Sequence, residues 1–374
     1  MSCDKQTLRN LQTHFRPRQG SETLAANPSV ASILWIAVGL FFFMASTTSA
    51  QSLTQSTGEL VPRDVREMYD AGVKYLIKTQ AEDGSWSGGE GGGGTTALAI
   101  LAILASGEDP NFGLYSGSIR KGLRALIRLQ DESTGYIGPS MYHHGFAMLA
   151  LAEAYGAVDD RNLWANVNTS EKHRAIGQAL ELAVRRAVSS QKNNPQHAWR
   201  YSPESRDSDT SVSGAVLVGL LAARNAGIEV PDSSIDQAIA YFSSMTSTGG
   251  TVGYTGSLQG MGESLARSSI ATLVFSIAKR KDLKQYQGAL KYVSSVMETN
   301  NSAWPEYTRY YQAQALFQGD VEAWGKWNQN LIRSLKPLQN EDGMFRGQLG
   351  ASNDTSMSLL ALALNFRFLP IYER

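Results

Sequence analysis

The sequence of 374 residues predicts an all-α fold, an (α/α)6 toroid of six helical hairpins. Three observations predict it. The segment Gln80–Trp86 reads Gln, three residues, Gly, one residue and an aromatic residue, and it recurs as Gln339–Phe345. Each copy follows an amphipathic helical pattern and precedes an apolar one. Weaker copies lie between the two, so one supersecondary unit is repeated along the chain.

Six copies of the turn are found, and the last position of each is aromatic. These aromatic residues are Trp86, Tyr136, Trp199, Tyr254, Trp304 and Phe345. They are spaced 41 to 63 residues apart, which suits a helical hairpin with loops of variable length. The glycine of the turn supplies the positive φ that ends a helix.

The first helix of each hairpin is amphipathic. In residues 63–80, Val65, Met68, Val73 and Leu76 fall on one stripe, as expected for a helix with one buried face. Such helices form the outer ring of the predicted toroid.

The second helix of each hairpin is apolar on nearly all sides and must therefore be buried on all sides. The predicted inner helices span 97–105, 146–155, 212–223, 270–277, 312–317 and 358–368. None reaches the roughly 20 residues of a membrane span. An open solenoid is the competing arrangement, but it needs polar terminal caps, and here the last repeat is among the most regular. Closure into a ring is favoured.

The N-terminal region has the pattern of a secretory signal. Arg9, Arg16 and Arg18 precede the apolar run 33–44, and small residues at 48–50 suit cleavage before Gln51. We therefore expect a signal peptide at 1–50, a short linker at 51–61 and the toroid at 62–374. The protein would be exported to the periplasm or the extracellular space, with no stable membrane span after cleavage. A signal-anchored form is the alternative.

Charge and cysteine content limit the partners. The chain carries 34 basic and 34 acidic residues, and without residues 1–50 it would carry 30 and 32, a net charge of −2. The chain has no run of basic residues, so nucleic acid is not expected as a partner. Cys3 is the single cysteine, so the exported chain would have no disulfide and no cysteine-based metal site.

The turn at Gln80–Trp86, with its degenerate copies before Ala/Leu-rich helices, resembles the QW repeats of the squalene-hopene cyclase and protein prenyltransferase superfamily. The segments 199–212 and 310–328 are similar to repeats of secreted bacterial proteins described as prenyltransferase/squalene oxidase repeat proteins. The resemblance implies a toroid with a central apolar cavity that binds or acts on an isoprenoid or another small apolar ligand.

Candidate site residues lie at the starts of the inner helices, which share one mouth of a toroid. Asp-Thr-Ser occurs at 209–211 and 354–356, in hairpins that would lie opposite each other. The candidate catalytic residues are Asp207, Asp209 and Asp354. The candidate ligand-binding residues are His143, His144, Thr210, Tyr310, Tyr311 and Thr355. Helix N-capping is the alternative interpretation of the two Asp-Thr-Ser triplets.

The resemblance does not carry over the chemistry of either enzyme class. Ser208 occupies the proton-donor position of the cyclase motif if Asp209 and Thr210 align with its final Asp-Thr. Prenyltransferases hold zinc with a cysteine, which the exported chain would lack, and the adjacent histidines His143 and His144 do not point together on a helix. We therefore expect no metal and no cofactor.

Three functions stay open at this stage, and catalysis itself is undecided. The first is an isoprenoid-handling toroid. The second is a carbohydrate-active lyase or hydrolase, with Asp209 and Asp354 assisted by Tyr310 or His144 as acid and base. The third is a non-catalytic interaction scaffold. Aliphatic cavity walls would favour the first, converging tryptophans, tyrosines and carboxylates the second, and a plugged ring the third.

Overall fold

The computed structural model describes residues 61–87, 92–165, 167, 173–256, 264–297 and 302–372. Contacts divide the chain into the units Met1–Leu60 and Val61–Arg374. The predicted signal peptide at 1–50 and nearly all of the predicted linker lie outside the described residues, so cleavage and export stay predictions.

Twelve α-helices and no β-strand are present in the described ranges, and the predicted all-α toroid is confirmed. The six outer helices are α1 (Arg63–Thr79), α3 (Ser116–Arg128), α5 (Ile176–Asn193), α7 (Asp232–Met245), α9 (Lys284–Ser295) and α11 (Val321–Leu335). The six inner helices are α2 (Gly93–Leu104), α4 (Met141–Ala154), α6 (Thr210–Asn225), α8 (Leu265–Ile277), α10 (Pro305–Gly319) and α12 (Ala351–Ala363).

The inner helices form a closed ring. Each packs against the next along the chain, and α12 returns to pack against both α2 and α1. Hairpins 3 and 6 are therefore opposite each other, as are hairpins 2 and 5. The outer helices are buried along one stripe, and the inner helices are buried on nearly every side. This difference follows from the two apolar patterns in the sequence.

The inner helices begin earlier than the sequence predicts. The apolar pattern predicts starts at 97, 146, 212, 270, 312 and 358, whereas the helices begin two to seven residues before those positions. The added first turns carry polar side chains that are nevertheless buried, such as Thr95, Glu306 and Asp354. Neighbouring hairpins bury these turns, so the apolar criterion misses them.

The repeated glutamine of the turn links adjacent hairpins. In four hairpins its Nε2 donates one hydrogen bond within its own turn and a second to a backbone carbonyl of the next outer helix around the ring. The second acceptors are Ser118 for Gln80, Ala179 for Gln130, Ser234 for Gln191 and Met68 for Gln339. The repeated motif therefore joins neighbouring hairpins of the ring.

The turn glycine permits the same close approach. Gly84, Gly135, Gly250 and Gly343 have positive φ, and a Cβ on any of them would lie 2.1 to 2.5 Å from a backbone oxygen of the next outer helix. In the third hairpin His197 takes the left-handed conformation, with φ 52°. A side chain at the four glycines would push two hairpins apart.

The end of the ring opposite the mouth is crossed by the C-terminal segment. The Ile371 amide donates to Glu153 Oε2 on α4, and the Ile371 carbonyl accepts from Gln318 Nε2 on α10, both at 3.3 Å. Leu369 and Ile371 are buried. Because α4 and α10 belong to opposite hairpins, the segment ties the two sides of the ring together at that end.

No helix in the described part of the chain is long and apolar enough to cross a membrane.

Candidate functional site

The mouth of the toroid is formed by the first turns of the inner helices. Tyr142 in the first turn of α4 and Tyr307 in the first turn of α10 meet across the ring, with ring centroids 6.2 Å apart. Tyr142 also contacts Phe146, and Phe146 contacts Tyr310. Aromatic side chains from opposite hairpins therefore occupy the centre of the ring below its mouth.

Two carboxyl groups converge at the boundary of hairpins 5 and 6. A Cβ added to Gly347 would lie 2.6 Å from Asp354 Cγ and 2.7 Å from Glu306 Cδ. The two carboxyl carbons are therefore at most about 5.3 Å apart, the sum of those distances. Both side chains are buried, while Gly347 above them is exposed. A Cβ at position 347 would push the two acid side chains aside.

Burial and a neighbouring acid alter the protonation of the pair. The pKa of Asp354 is raised to about 6, mainly by burial and also by the charge of Glu306, against the hydrogen bond that Asp354 Oδ1 accepts from the Leu349 amide. Burial lowers the pKa of Arg309, and the charges of Glu306 and Asp354 partly oppose this. Glu306 Oε2 has no hydrogen-bond partner among the described residues. Two nearby acids with different environments can hold one proton between them.

A second buried acid, Asp209, is the N-cap residue of α6. Its Oδ1 accepts from the Val212 amide at 2.8 Å, which is the capping role that the sequence allowed as an alternative. Its Oδ2 has no hydrogen-bond partner within the described ranges, although Arg200 Nε lies 3.8 Å away. Burial raises the pKa of Asp209 to about 6, more than the Val212 amide and Arg200 lower it.

The third predicted acid, Asp207, lies apart from the interior of the mouth. Its side chain is largely exposed and forms an ion pair with Arg200, whose Nη1 is 3.2 Å from Asp207 Oδ2. Arg200 thus bridges Asp207 and Asp209. In this arrangement Asp207 acts on Asp209 through the arginine and through its own charge, which raises the pKa of Asp209.

The two predicted threonines hold turns in place. Thr210 is buried, its hydroxyl donates to the Gly253 carbonyl at 2.8 Å, and its amide donates to the Tyr254 carbonyl. Thr355 Oγ1 accepts from the Phe345 amide at 3.0 Å, as Thr96 accepts from Trp86. Both hydroxyls therefore fix the turn that enters or adjoins an inner helix.

The adjacent histidines point to different surroundings. His144 is fully buried, accepts from the Ile137 amide through Nδ1 and donates from Nε2 to the Ala183 carbonyl. Burial lowers its pKa to about 4, so it is neutral and both nitrogens are occupied. His143 is half-buried at the mouth and accepts from the Gly94 amide at 3.1 Å. This hydrogen bond holds the first turn of α2, which contains Gly94, against α4.

Tyr310 and Tyr311 are buried in the ring centre with centroids 4.7 Å apart, below the half-buried Tyr307. Burial raises the pKa of Tyr310 to about 12, so it stays protonated. The structure thus brings Tyr310, Tyr311 and Asp354 near one side of the ring, and Asp209 lies in the opposite hairpin. Their roles in catalysis or ligand binding stay predictions.

Glu306 stands in the sequence among the polar residues that open the fifth inner helix, with Arg309 and the tyrosines, but it was not among the candidate catalytic residues. Its burial and the tight loop at Gly347 are the features that single it out, and neither leaves a local sequence pattern. A glutamate at the start of an otherwise buried helix, three residues before an arginine, was the available signal.

Within the described ranges, no group of three or more His, Cys, Asp or Glu side chains has the geometry of a metal site.

A family model described as Domain of unknown function (DUF6288) matches residues 66–308, which is more than half of the chain. The chain belongs to the DUF6288 family. The match runs from the first outer helix to the first turn of α10, so it includes Asp209 and Glu306. Asp354 lies C-terminal to the matched residues. No curated protein matches the sequence significantly.

Solved structures similar to this DUF6288 protein include the α-1,6-mannanase GH76A of Salegentibacter sp. HEL1_6. An inactive Asp→Asn double variant of that enzyme with α-1,6-mannotriose aligns at TM-score 0.58 and 10% identity, over 81% of this chain and 99% of that one. An α-amylase from Clostridium perfringens aligns at TM-score 0.53 and 14% identity, over 81% and 99%. At these identities the likeness establishes a shared fold, a glycoside hydrolase-like α/α toroid.

The expected membership in the squalene-hopene cyclase and protein prenyltransferase superfamily is therefore wrong. The matching family is DUF6288, and the similar structures above are glycosidases. The error has a physical reason. The Gln-Gly-aromatic turn ties neighbouring hairpins of a closed ring together, so it reports toroid assembly and carries no information on isoprenoid chemistry.

Proposed function

We propose that this protein is a glycoside hydrolase whose reacting groups are Glu306 and Asp354 at the mouth of the toroid. The observation that carries the proposal is the separation of the two carboxyl carbons, at most about 5.3 Å. Retaining glycosidases hold their two carboxyl groups roughly 5–5.5 Å apart, whereas inverting enzymes need roughly 6.5–9.5 Å to admit water between them. The alternative weighed at the sequence level, a carbohydrate-active hydrolase, is thus favoured, with a different pair of acids.

The roles of the two acids follow from their surroundings. Asp354, with its pKa raised to about 6, serves as the general acid and donates its proton to the glycosidic oxygen as the bond to the anomeric carbon breaks. The Glu306 carboxylate attacks the anomeric carbon and forms a glycosyl ester. Water then attacks the same carbon, gives its proton to the Asp354 carboxylate and releases Glu306, which restores both acids.

Other features of the mouth agree with a sugar as the ligand. Tyrosines and arginines accompany the carboxyl groups, and amphipathic side chains of this kind suit a molecule that has both C–H faces and hydroxyls. The likeness of the fold to the α-1,6-mannanase and the α-amylase is an analogy of architecture and supports the proposal only to that extent.

The test is release of reducing ends from a panel of α- and β-linked polysaccharides that includes α-1,6-mannan and starch. We expect the wild-type protein to hydrolyse at least one, and Glu306→Gln and Asp354→Asn each to lose at least about a hundredfold in kcat/KM. Glu82→Gln and Asp70→Asn remove exposed acids of the same types and are the matched controls, expected to stay within about twofold of wild type.

The stereochemistry of the product provides a second measurement. A carboxyl separation this short predicts that the anomeric configuration is retained, which NMR of the first product detects before mutarotation. Inversion, full activity of either acid-pair variant, or no hydrolysis of any substrate would contradict the proposal.

A further inference from the structure

A row of aromatic side chains crosses the mouth. We call it the aromatic strip and define it as Trp304, Tyr307, Tyr142, Tyr201 and Tyr254. Trp304, Tyr307 and Tyr142 lie just before, or in the first turn of, an inner helix, whereas Tyr201 and Tyr254 lie in the loops that lead to α6 and α8, and the five come from hairpins 2, 3, 4 and 5. The strip therefore lies on the mouth side of the ring.

The middle of the strip is the contact between Tyr307 and Tyr142, whose planes are tilted by 39° at 6.2 Å. Both side chains are half-buried, so each keeps an edge toward the mouth. The Tyr307 hydroxyl is itself buried beside Tyr142 and Tyr311, so the middle of the strip presents ring edges to the mouth.

The far end of the strip is the pair Tyr201 and Tyr254. Their hydroxyls are 3.1 Å apart, and the Arg200 guanidinium lies over both rings, 5.7 and 5.6 Å from the centroids. The Tyr201 carbonyl accepts from the Met141 amide at 2.8 Å, which holds this end beside Tyr142. Tyr201 is 49% exposed, so part of its ring is open to a ligand although Arg200 lies over one face.

The near end of the strip adjoins the acid pair. Trp304 is the residue before α10, and its carbonyl accepts from the Thr308 amide, so it stands directly above the turn that carries Glu306. The indole is 52% exposed. One turn of helix thus presents Trp304 at the rim, Glu306 toward Asp354 and Tyr307 toward the middle of the strip.

We propose that the aromatic strip binds an extended neutral oligosaccharide, with the bond to be cleaved at the Trp304 end and further sugar units toward Tyr201. This inference rests on the proposed hydrolase function and names its substrate as a chain of several sugars. Ring faces accept the C–H face of a pyranose, while the tyrosine hydroxyls and Arg200 supply hydrogen bonds to its hydroxyls.

Two features favour a neutral sugar chain over other ligands. The far end of the strip combines ring faces with two hydroxyls and a guanidinium, whereas a lipid site would be lined by aliphatic side chains. The far end holds two arginines, Arg200 and Arg267, and two acids, Asp207 and Asp209, so above the pKa of Asp209 it presents no excess positive charge to an acidic polymer.

The test measures binding apart from hydrolysis. In a Glu306→Gln background, which prevents cleavage, calorimetry is performed with manno- and gluco-oligosaccharides of two to six units. We expect affinity to rise with chain length for at least one series. Trp304→Ala and Tyr201→Ala should each weaken binding of the hexasaccharide about tenfold and flatten the dependence on length.

Exposed aromatic residues at the other end of the ring are the matched controls. Phe112 is 89% exposed in the connection from α2 to α3, and Tyr155 is 40% exposed at the end of α4. Phe112→Ala and Tyr155→Ala should leave binding unchanged. Loss of binding in these controls, or no length-dependent binding of any oligosaccharide, would overturn the proposal.

The two proposals can fail separately. If Glu306→Gln abolishes hydrolysis while Trp304→Ala and Tyr201→Ala leave binding and KM unchanged, the acid pair stands and the strip is wrong. If oligosaccharides bind along the strip but wild-type protein cleaves none of them, the strip stands and the hydrolase function is wrong.

Discussion

Gln339 donates a hydrogen bond from its side-chain Nε2 to the backbone carbonyl of Met68 at 2.8 Å, although the two residues are 271 positions apart. The same side chain donates to the Gly343 carbonyl in its own turn. Gln80, Gln130 and Gln191 make the equivalent bonds to the next outer helix. The bond to Met68 differs in one respect: it joins the last hairpin to the first and thereby closes the ring.

Removal of this side chain should weaken ring closure. Gln339→Ala loses both bonds and should lower the free energy of unfolding by about 1–2 kcal/mol. Urea denaturation monitored by circular dichroism measures the change. Gln329→Ala, at an exposed position on α11, is the matched control and should shift the midpoint little. Equal effects of the two substitutions would show that closure does not depend on Gln339.

A methyl group at the turn glycine should be more damaging. Gly343 has a φ of +93°, and a Cβ there would lie 2.1 Å from the Ala71 carbonyl oxygen on α1. We expect Gly343→Ala to cost at least about 2 kcal/mol, because backbone strain and a forced separation of hairpins add.

Gly325 provides the contrast for the same substitution. It lies inside α11 with nothing within 4 Å of an added Cβ. Gly325→Ala should therefore raise the free energy of unfolding by about 0.5–1 kcal/mol. Thermal unfolding of both variants measures the difference, and a Gly343→Ala protein as stable as wild type would contradict the packing described for the turn.

Much of the fold could be predicted because the local spacing of apolar residues indicates it. The stripe of apolar residues in α1 and the uniformly apolar stretches such as 97–105 identify outer and inner helices by periodicity alone. The starts of the inner helices could not be predicted in this way. Thr95 and Glu306 are buried by loops from other hairpins, so their burial depends on tertiary contacts that the local sequence does not encode.

The candidate site was predicted only in part for a related reason. The mouth and its polar helix starts follow from the repeat, and Asp209 and Asp354 were found there. The partner of Asp354 is Glu306, which belongs to the neighbouring hairpin, and the approach depends on Gly347 in the loop before α12. Repetition of Asp-Thr-Ser instead suggested Asp209, which lies in the opposite hairpin. The repeated triplet marks the start of two inner helices. The pairing of Asp354 with Glu306, in contrast, depends on how the hairpins assemble into the ring.

Asp209 should make stability depend on pH. Its folded pKa of about 6 exceeds the value of roughly 3.9 expected in the unfolded chain, so the folded state binds the proton more tightly. The contribution of Asp209 to the free energy of unfolding is fully present below pH 4 and is lost as the pH rises through 6. An asparagine at position 209 can still cap α6 but carries no charge.

We therefore expect Asp209→Asn to stabilise the protein at pH 7.5, by up to about 3 kcal/mol, and to have little effect at pH 4. Urea midpoints at both pH values measure this. Arg200 keeps its ion pair with Asp207 in the variant. Asp64→Asn, at a helix start on the outer ring, is a control. Equal destabilisation at both pH values would contradict burial as the cause of the raised pKa.

Asp354 should set the alkaline limit of activity if it is the general acid. Its pKa of about 6 means that the proton needed for bond cleavage is lost above that pH, so kcat/KM should fall as pH rises from 6 to 8. The charge of Arg309 lowers the pKa of Asp354, so Arg309→Gln should move the alkaline fall in kcat/KM to higher pH. Arg333→Gln removes an exposed arginine on α11 and should leave the profile unchanged. Loss of packing alone would reduce kcat/KM equally at every pH. If the alkaline fall in kcat/KM stays at the same pH in Arg309→Gln, Asp354 is ruled out as the general acid.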